Sequence, residues 1–148
     1  MTTICPECGA ILNEDTSCQS IFDSFLVLEF TDPGYGKVHM LTVACFMIQH
    51  GRYSDEGYTW IEQQLRAYLQ DGVPIEYIRR RAAKNADQNV RAWKVTRQPG
   101  ASPLPKITWS MTIADVASNY HDAPSYCDLI KKWAHLTLHE MGPFLSKP

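Results

Sequence analysis

The sequence predicts a mainly α-helical protein, a single-domain bundle of about five helices. Apolar residues recur at helical spacing in separate segments, and turn-forming residues divide these segments from one another. The length of 148 residues is that of one domain large enough to bury a core. At the N-terminus, Cys5-Pro6-Glu7-Cys8-Gly9-Ala10 places two thiols on one tight turn, which is typical of a metal-binding knuckle.

The composition indicates a soluble protein. Of its residues 45% are hydrophobic and 20% are charged, which is ordinary for a globular domain. No apolar run reaches the roughly 18 residues that a membrane span needs, and the polar N-terminus does not resemble a signal peptide. We expect one cytoplasmic domain over residues 1–148, with the knuckle in residues 1–17 and an irregular loop in residues 98–106.

The first two helices are predicted to form an antiparallel hairpin. Thr16 and Gln19 have capping-box spacing, so the first helix should begin near Ser17 and run to Phe30. An Asp-Pro-Gly turn follows, and the second helix, over residues 37–50, is apolar on most of its circumference. Because the connection is short, the two helices should be neighbours.

Three further helices and a short β-hairpin are expected downstream. The third helix begins after Ser54, the fourth opens at Pro74, and the last begins at Pro124. The hairpin would pair residues 92–95 with residues 107–113, because the second stretch alternates apolar and polar side chains.

The angular positions of residues around each helix, which we call helix phase, narrow the choice of the two further metal ligands that the knuckle needs. Positions eleven apart on a helix return to within about 20° of each other, so Cys18 and Glu29 share a stripe on the first helix. For the same reason, His39 and His50 share a stripe on the second. In an antiparallel hairpin, Cys18 then lies level with His50 at the knuckle end, and Glu29 lies level with His39 at the turn end.

The sequence therefore predicts a zinc ion (Zn²⁺) bound by Cys5, Cys8, Cys18 and His50. Three thiolates and one imidazole form a donor set that closes a tetrahedral zinc site. Cys127 or His39 could take the fourth position in place of His50. Alternatively, Cys18 is a small buried residue, and His50 interacts only with a helix C-terminus.

The remaining two cysteines are expected in the core. Cys45 lies on the apolar side of the second helix, and Cys127 lies on the apolar stripe of the last helix. His135 and His139 have the i, i+4 spacing of a chelating pair, but their stripe lies off the apolar face. We expect these two histidines on a solvated surface.

Glu29 and His39 form a second polar pair. A carboxylate beside an imidazole can orient a histidine that ligates a metal or transfers a proton. Thr42 and Gln49 lie at the edge of the same side of the helix and extend the polar strip. Because buried polar groups need partners, we favour a core network that fixes the helix register.

Basic residues are concentrated between positions 79 and 97. This segment holds seven of the 14 basic residues and one acidic residue, so its charge is about +6 and that of the remainder about −8. A solvated helix face followed by a loop is favoured over an anion-binding patch. Nucleic acid is disfavoured by the net charge of −2 and by the absence of exposed aromatic residues among Arg79–Arg81.

Several segments are shared with a known family: residues 5–10, Cys18 with Phe22, residues 28–39, residues 48–50, residues 109–116, Tyr126-Cys127 and Trp133-Ala134. Together they resemble an uncharacterised family of small bacterial proteins, classed as a domain of unknown function. The resemblance covers nearly the whole chain and implies one domain, but no activity. It also implies a second histidine where this chain has Met40, so His39 lacks the neighbour that a two-histidine site would use.

We therefore expect a small zinc protein with a structural metal that acts as an interaction or accessory module. Its expected partner is a protein or a small anionic ligand, with no nucleic acid and no membrane. The alternative is a metal-dependent helical-bundle hydrolase or transferase that uses Glu29 and His39. Tyr35 or Tyr53 would then contribute a hydroxyl to the pocket.

Overall fold

The structure is a computed structural model and describes residues 1–87 and 95–145. Within these residues it contains one antiparallel strand pair and seven helices, so the mainly helical fold is confirmed. In chain order the elements are β1 (Thr2–Ile4), β2 (Ile11–Asn13), α1 (Cys18–Thr31), α2 (Pro33–Gly36), α3 (His39–Gln49), α4 (Asp55–Leu69), α5 (Ile75–Asp87), α6 (Ile113–Asn119) and α7 (Ala123–Leu145).

The start of α1 is set by two serines. The Ser20 N–H donates to the Ser17 Oγ at 3.0 Å, and the Ser17 N–H donates to the Ser20 Oγ at 3.0 Å. These reciprocal bonds satisfy two backbone donors that the helix itself leaves unpaired. The capping box predicted at Thr16 and Gln19 is therefore wrong by one residue, since the Ser17 hydroxyl is the one in position to accept.

The turn after α1 contains the short helix α2. The Asp32 carboxylate accepts the Gly34 N–H at 2.9 Å, and Pro33 occupies the first helical position, where no backbone donor is needed. A Cβ at Gly36 would lie 2.9 Å from the backbone oxygen of Glu29, so the close approach of α2 to α1 requires glycine there. This compact turn returns the chain as α3.

Helix α3 is the centre of the fold and packs against α1, α4 and α7. Its buried apolar side chains are Leu41, Ala44, Cys45, Phe46 and Ile48. Helix α7 contributes Ile130, Trp133, Ala134, Leu138 and Met141 to the same core. The expected core position of Cys45 is confirmed, because its side chain is fully buried.

The predicted hairpin between residues 92–95 and 107–113 is wrong for its second strand. That stretch is irregular until α6 begins, and residues 92–94 lie outside the described part of the chain. The Thr112 N–H donates to Asp115 Oδ2 at 2.8 Å. This bond stabilises a helix start where the alternating pattern indicated a strand.

A strand pair is found instead at the N-terminus, on either side of the knuckle. Ile4 lies opposite Ile11, and both side chains are about 69% exposed. The buried apolar residues of this region are Cys8, Ala10 and Leu12. These few side chains give the hairpin little apolar surface with which to attach to the bundle.

Two expectations about the rest of the chain can be compared directly with the structure. Residues 98–106 contain no helix or strand, as predicted. Among the described residues, none of the helices combines the length and apolar character needed to cross a membrane.

The packing predicts the effect of truncating Leu65, which is fully buried on α4. Leu65→Ala should lower the free energy of unfolding by about 3 kcal/mol, because it removes buried methyl groups and leaves a cavity. Val27→Ala on the exposed face of α1 is the control, with an expected change within about 0.5 kcal/mol. Urea titration measures both values, and equal losses would contradict the assignment of the core.

Candidate metal centre

Four side chains converge at the end of the α1–α3 hairpin that is remote from α2. The knuckle contributes Cys5 and Cys8, Cys18 is the first residue of α1, and His50 directly follows α3. Their ligand atoms all lie within 4.8 Å of one another. Among the described residues, this is the one group of cysteine, histidine and acidic side chains arranged so that it could hold a metal ion.

The sulfur spacing fits a tetrahedral cation. The Sγ atoms of Cys8 and Cys18 lie 3.6 Å apart. Zinc–sulfur bonds of about 2.3 Å at a tetrahedral angle separate two sulfurs by about 3.8 Å. The pair is therefore already spaced as it would be around one zinc-sized ion.

His50 has one ring nitrogen engaged and one without a partner. Its Nδ1–H donates to the Phe46 carbonyl oxygen at 2.7 Å, which leaves the Nε2 lone pair for a cation. Nε2 is buried and has no hydrogen-bond partner among the described residues. A buried polar atom without a partner costs free energy, and a cation bound at Nε2 would remove that cost.

Aromatic stacking fixes the orientation of the imidazole. The Phe46 ring stacks on His50 with 4.3 Å between ring centroids, and Phe22 stacks on Phe46 at 4.2 Å. The Arg52 guanidinium lies 5.9 Å from the Phe46 centroid. The His50 ring is thus held by a packed column rather than by its backbone bond alone.

The knuckle is closed by its own backbone. The Cys5 N–H donates to the Ala10 carbonyl at 2.8 Å, and the Gly9 N–H donates to the Cys5 carbonyl at 2.9 Å. Gly9 has a φ of +82°, a left-handed conformation that side chains disfavour. This turn directs the Cys5 and Cys8 side chains toward one point.

Two polar contacts connect the knuckle to the rest of the protein. Arg52 donates to Glu7 Oε1 at 3.2 Å, and the Lys106 Nζ donates to the Pro6 carbonyl at 3.2 Å. The Arg52–Glu7 pair is about half exposed, so it contributes at most about 1 kcal/mol. Helical spacing does not predict either contact, because all four residues lie outside the helices.

The thiols in the cluster perturb one another. The hydrogen bond between Cys8 and Cys18 is the largest cause that lowers the pKa of the Cys8 thiol and raises the pKa of the Cys18 thiol. Two thiolates at this separation repel each other, so the pair retains a proton unless a cation compensates their charge. A divalent cation would remove that constraint and allow all three thiols to ionise.

The second polar pair lies at the α2 end of the hairpin, as helix phase predicts. His39 Nδ1 lies 2.8 Å from Glu29 Oε1, and the Thr42 hydroxyl donates to Glu29 Oε2 at 2.8 Å. The Tyr126 hydroxyl donates to the same oxygen. The Glu29 side chain is only 3% exposed, so these partners compensate a carboxylate that would otherwise be buried alone.

Tyr126 is the member of this network that sequence reasoning missed. Tyr35 and Tyr53 are the hydroxyl sources that the sequence suggests, but the hydroxyl bonded to Glu29 comes from α7. Tyr35 contributes a ring contact instead, with 5.1 Å between its centroid and that of Tyr126. The one signal in the sequence is the position of Tyr126 in the first turn of α7, but helical spacing alone does not place α7 beside α1.

Gln49 extends the polar strip to a different set of partners. Its Nε2 donates to the Met111 carbonyl at 2.9 Å and to the Thr137 Oγ1 at 3.0 Å. Both Gln49 and Thr42 are buried. Both residues therefore have core hydrogen-bond partners, as expected, but the buried Oε1 of Gln49 has none among the described residues.

The two alternative fourth ligands lie away from the cluster. His39 is bonded to Glu29 at the opposite end of α3. Cys127 is half-buried rather than fully in the core, and its Sγ–H donates to the Gly34 carbonyl at 3.3 Å. Neither side chain belongs to the group with converging ligand atoms.

The prediction for the two surface histidines is confirmed, whereas the prediction for the surroundings of the arginines is wrong. His135 and His139 are both exposed, as expected. Tyr77, however, is 49% exposed, with the Arg81 and Arg80 guanidiniums at 5.1 and 5.9 Å from its centroid. The expectation that no exposed aromatic residue accompanies the arginines is wrong, because α5 places Tyr77 within a helical turn of them.

Of the described basic residues in this segment, Arg97 is held in a contact with the protein itself. Arg97 is only 14% exposed at its side chain and donates to Asp55 Oδ1 at 2.9 Å. The side chains of Lys84, Arg91 and Lys94 lie outside the described part of the structure. The expectation of a solvated helix face followed by a loop, rather than an anion-binding patch, stays a prediction for this segment.

The network around Glu29 predicts the effect of removing one hydroxyl. Tyr126→Phe should lower the free energy of unfolding by about 1.5–3 kcal/mol, because a buried carboxylate loses a hydrogen-bond donor. Tyr120→Phe is the control, since Tyr120 packs against Tyr126 with 5.6 Å between centroids but does not bond Glu29. Thermal or urea unfolding measures both, and equal effects would show that the bond to Glu29 contributes nothing.

Comparisons with known proteins agree with the resemblance in the sequence. A family model described as a family of unknown function (DUF5946) matches residues 3–142, which is most of the chain. No curated protein and no solved structure matches the chain. The match includes all four residues of the cluster and the Glu29 network, and the chain belongs to the DUF5946 family.

Proposed function

We propose that this protein is a zinc-binding accessory module whose metal has a structural role. The observation that carries the proposal is the convergence of Cys5, Cys8, Cys18 and His50, with ligand atoms within 4.8 Å. The buried and unpartnered Nε2 of His50 supports it, because a metal bond would satisfy that atom.

The donor set favours zinc over other common cations. Thiolate sulfur and imidazole nitrogen are soft or borderline donors, whereas magnesium and calcium prefer oxygen. Three thiolates and one imidazole are a recurrent structural zinc set. The sulfur spacing of 3.6 Å between Cys8 and Cys18 is also near the tetrahedral value.

A structural role follows from the number of ligands and from what they connect. Four protein ligands fill a tetrahedron and leave no position for a reactive water. The knuckle and its strands have few buried apolar residues, so the metal would supply the attachment that packing does not. It would hold the N-terminal hairpin against the start of α1 and the end of α3.

The enzyme alternative has less support. Glu29 and His39 lie about three helical turns, roughly 16 Å along the axis, from the cluster. Both oxygens of Glu29 are engaged by side chains of the protein. A carboxylate so engaged is suited to fixing the register of α1, α3 and α7, and the half-exposed His39 ring is the one group that could act on a ligand.

Zinc binding is tested by metal analysis of the purified protein. We expect one zinc ion per chain, lost in Cys8→Ser because the buried site loses a thiolate. Cys127→Ser, which alters a cysteine outside the cluster, should retain the ion. Removal of zinc by a chelator should also lower the unfolding temperature, since ligand-bound native protein is stabilised by mass action. Retention of zinc by Cys8→Ser would contradict the proposal.

Replacement of His39 separates the structural from the enzymatic interpretation. His39→Ala should lower the free energy of unfolding by about 1.5–3 kcal/mol, because the buried Glu29 carboxylate loses one of its hydrogen-bond partners. Its zinc content should stay at one ion per chain. His135→Ala, at an exposed position, is the control and should change stability by no more than about 0.5 kcal/mol. Loss of zinc, or unchanged stability in His39→Ala, would oppose the core-network role.

A further inference from the structure

The four candidate ligands are not equally shielded. A groove of about 300 Å³ opens beside the cluster and is lined in part by Cys5, Cys18 and His50. As a residue, Cys5 is partly exposed, whereas Cys8 and Cys18 are buried, and all four candidate ligands are buried where they converge. Cys5 lines the groove and Cys8 does not, so a small solute in the groove would encounter Cys5 more readily than Cys8.

The cysteines outside the cluster are poor targets for an oxidant, because a thiol reacts through its thiolate. Burial raises the pKa of the Cys45 thiol to about 12, and this side chain is fully enclosed by the core. Burial also raises the pKa of Cys127, whose Sγ–H donates to the Gly34 carbonyl. The three thiols of the cluster are those that a metal would hold as thiolates.

From this arrangement, and resting on the proposed function, we infer that Cys5 is a peroxide-reactive site whose oxidation to a disulfide releases the zinc ion. The oxidant is a small hydroperoxide such as hydrogen peroxide, which is neutral and fits the groove. The partner thiolate is that of Cys8 or Cys18, since both sulfurs lie within 4.8 Å of Cys5.

The reaction proceeds in two steps that balance. The Cys5 thiolate attacks one peroxide oxygen, the O–O bond breaks, and hydroxide leaves, so the sulfur becomes a sulfenic acid by a two-electron oxidation. The neighbouring thiolate then attacks the Cys5 sulfur, the S–S bond forms, the S–O bond breaks, and a second hydroxide leaves. The peroxide has been reduced to two hydroxide ions, and the two thiolates have become one disulfide.

Release of the metal follows from the loss of two anionic ligands. A disulfide sulfur is a much weaker zinc ligand than a thiolate. The one remaining thiolate and His50 form an incomplete site. Oxidation would thus free the knuckle from the ends of α1 and α3, which places the attachment of the N-terminal hairpin under redox control.

The test begins with the zinc content of the full-length protein and then adds hydrogen peroxide in the presence of a chromogenic zinc chelator. We expect release of one zinc ion per chain. After quenching with iodoacetamide, peptide mapping should find a disulfide that contains Cys5, with Cys127 alkylated and therefore still reduced. Zinc retained through peroxide treatment, or a Cys8–Cys18 disulfide that leaves Cys5 free, would overturn the inference and leave the proposed function intact. Absence of zinc before peroxide would overturn both.

Substitution of Cys5 by another metal-binding residue provides the matched variant. Cys5→His replaces the thiolate that lines the groove with another zinc donor, so it should still hold zinc but release it to peroxide about tenfold more slowly. Release at the rate of the unchanged protein would contradict the role of Cys5. If this variant does not fold, limited alkylation of the unchanged zinc-loaded protein decides the point, because Cys5 should be modified first and modification of Cys8 or Cys18 first would overturn the inference.

Discussion

Three thiols and an imidazole converge at one point, where the N-terminal hairpin meets the start of α1 and the end of α3. The Cys8 and Cys18 sulfurs lie 3.6 Å apart, close enough that two thiolates would repel each other. His50 adds a buried nitrogen with no hydrogen-bond partner among the described residues. A divalent cation would resolve both problems, because it would compensate the thiolate charge and accept the free lone pair. Under the proposed function, the attachment of a hairpin that buries little apolar surface rests on that ion.

The opposite end of the α1–α3 hairpin also contains a buried charged group, which is stabilised by hydrogen bonds. Glu29 is a buried carboxylate, and its charge is compensated by hydrogen bonds from His39, Thr42 and Tyr126 rather than by an ion. Buried polar groups of this kind tolerate little displacement, because each lost bond leaves a desolvated atom. The two ends therefore fix the relative position of α1 and α3 along their axes, and the Tyr126 bond connects α7 to that register.

The sequence is most informative where the regular geometry of helices relates residues that are far apart along the chain. Two regularities, the helical period and the short turn between α1 and α3, are enough to predict that Cys18 lies near His50 and Glu29 near His39. Tyr126 cannot be found in this way, because its contact depends on how α7 packs in three dimensions. The strand expected over residues 107–113 is wrong: its last residues form the capped start of α6, where a local hydrogen bond outweighs the alternating pattern. Short strands such as β1 and β2 leave too few residues to show a period.

X-ray absorption spectroscopy at the zinc edge tests the central claim most directly, because it counts the atoms bonded to the metal without requiring a variant. The structure and the proposal together predict three sulfur atoms at about 2.3 Å and one nitrogen atom at about 2.0–2.1 Å. That result would match Cys5, Cys8, Cys18 and His50 around a closed tetrahedral site. A sphere of oxygen and nitrogen atoms, or one with fewer than three sulfurs and a bound water, would contradict the structural site and favour an open metal centre.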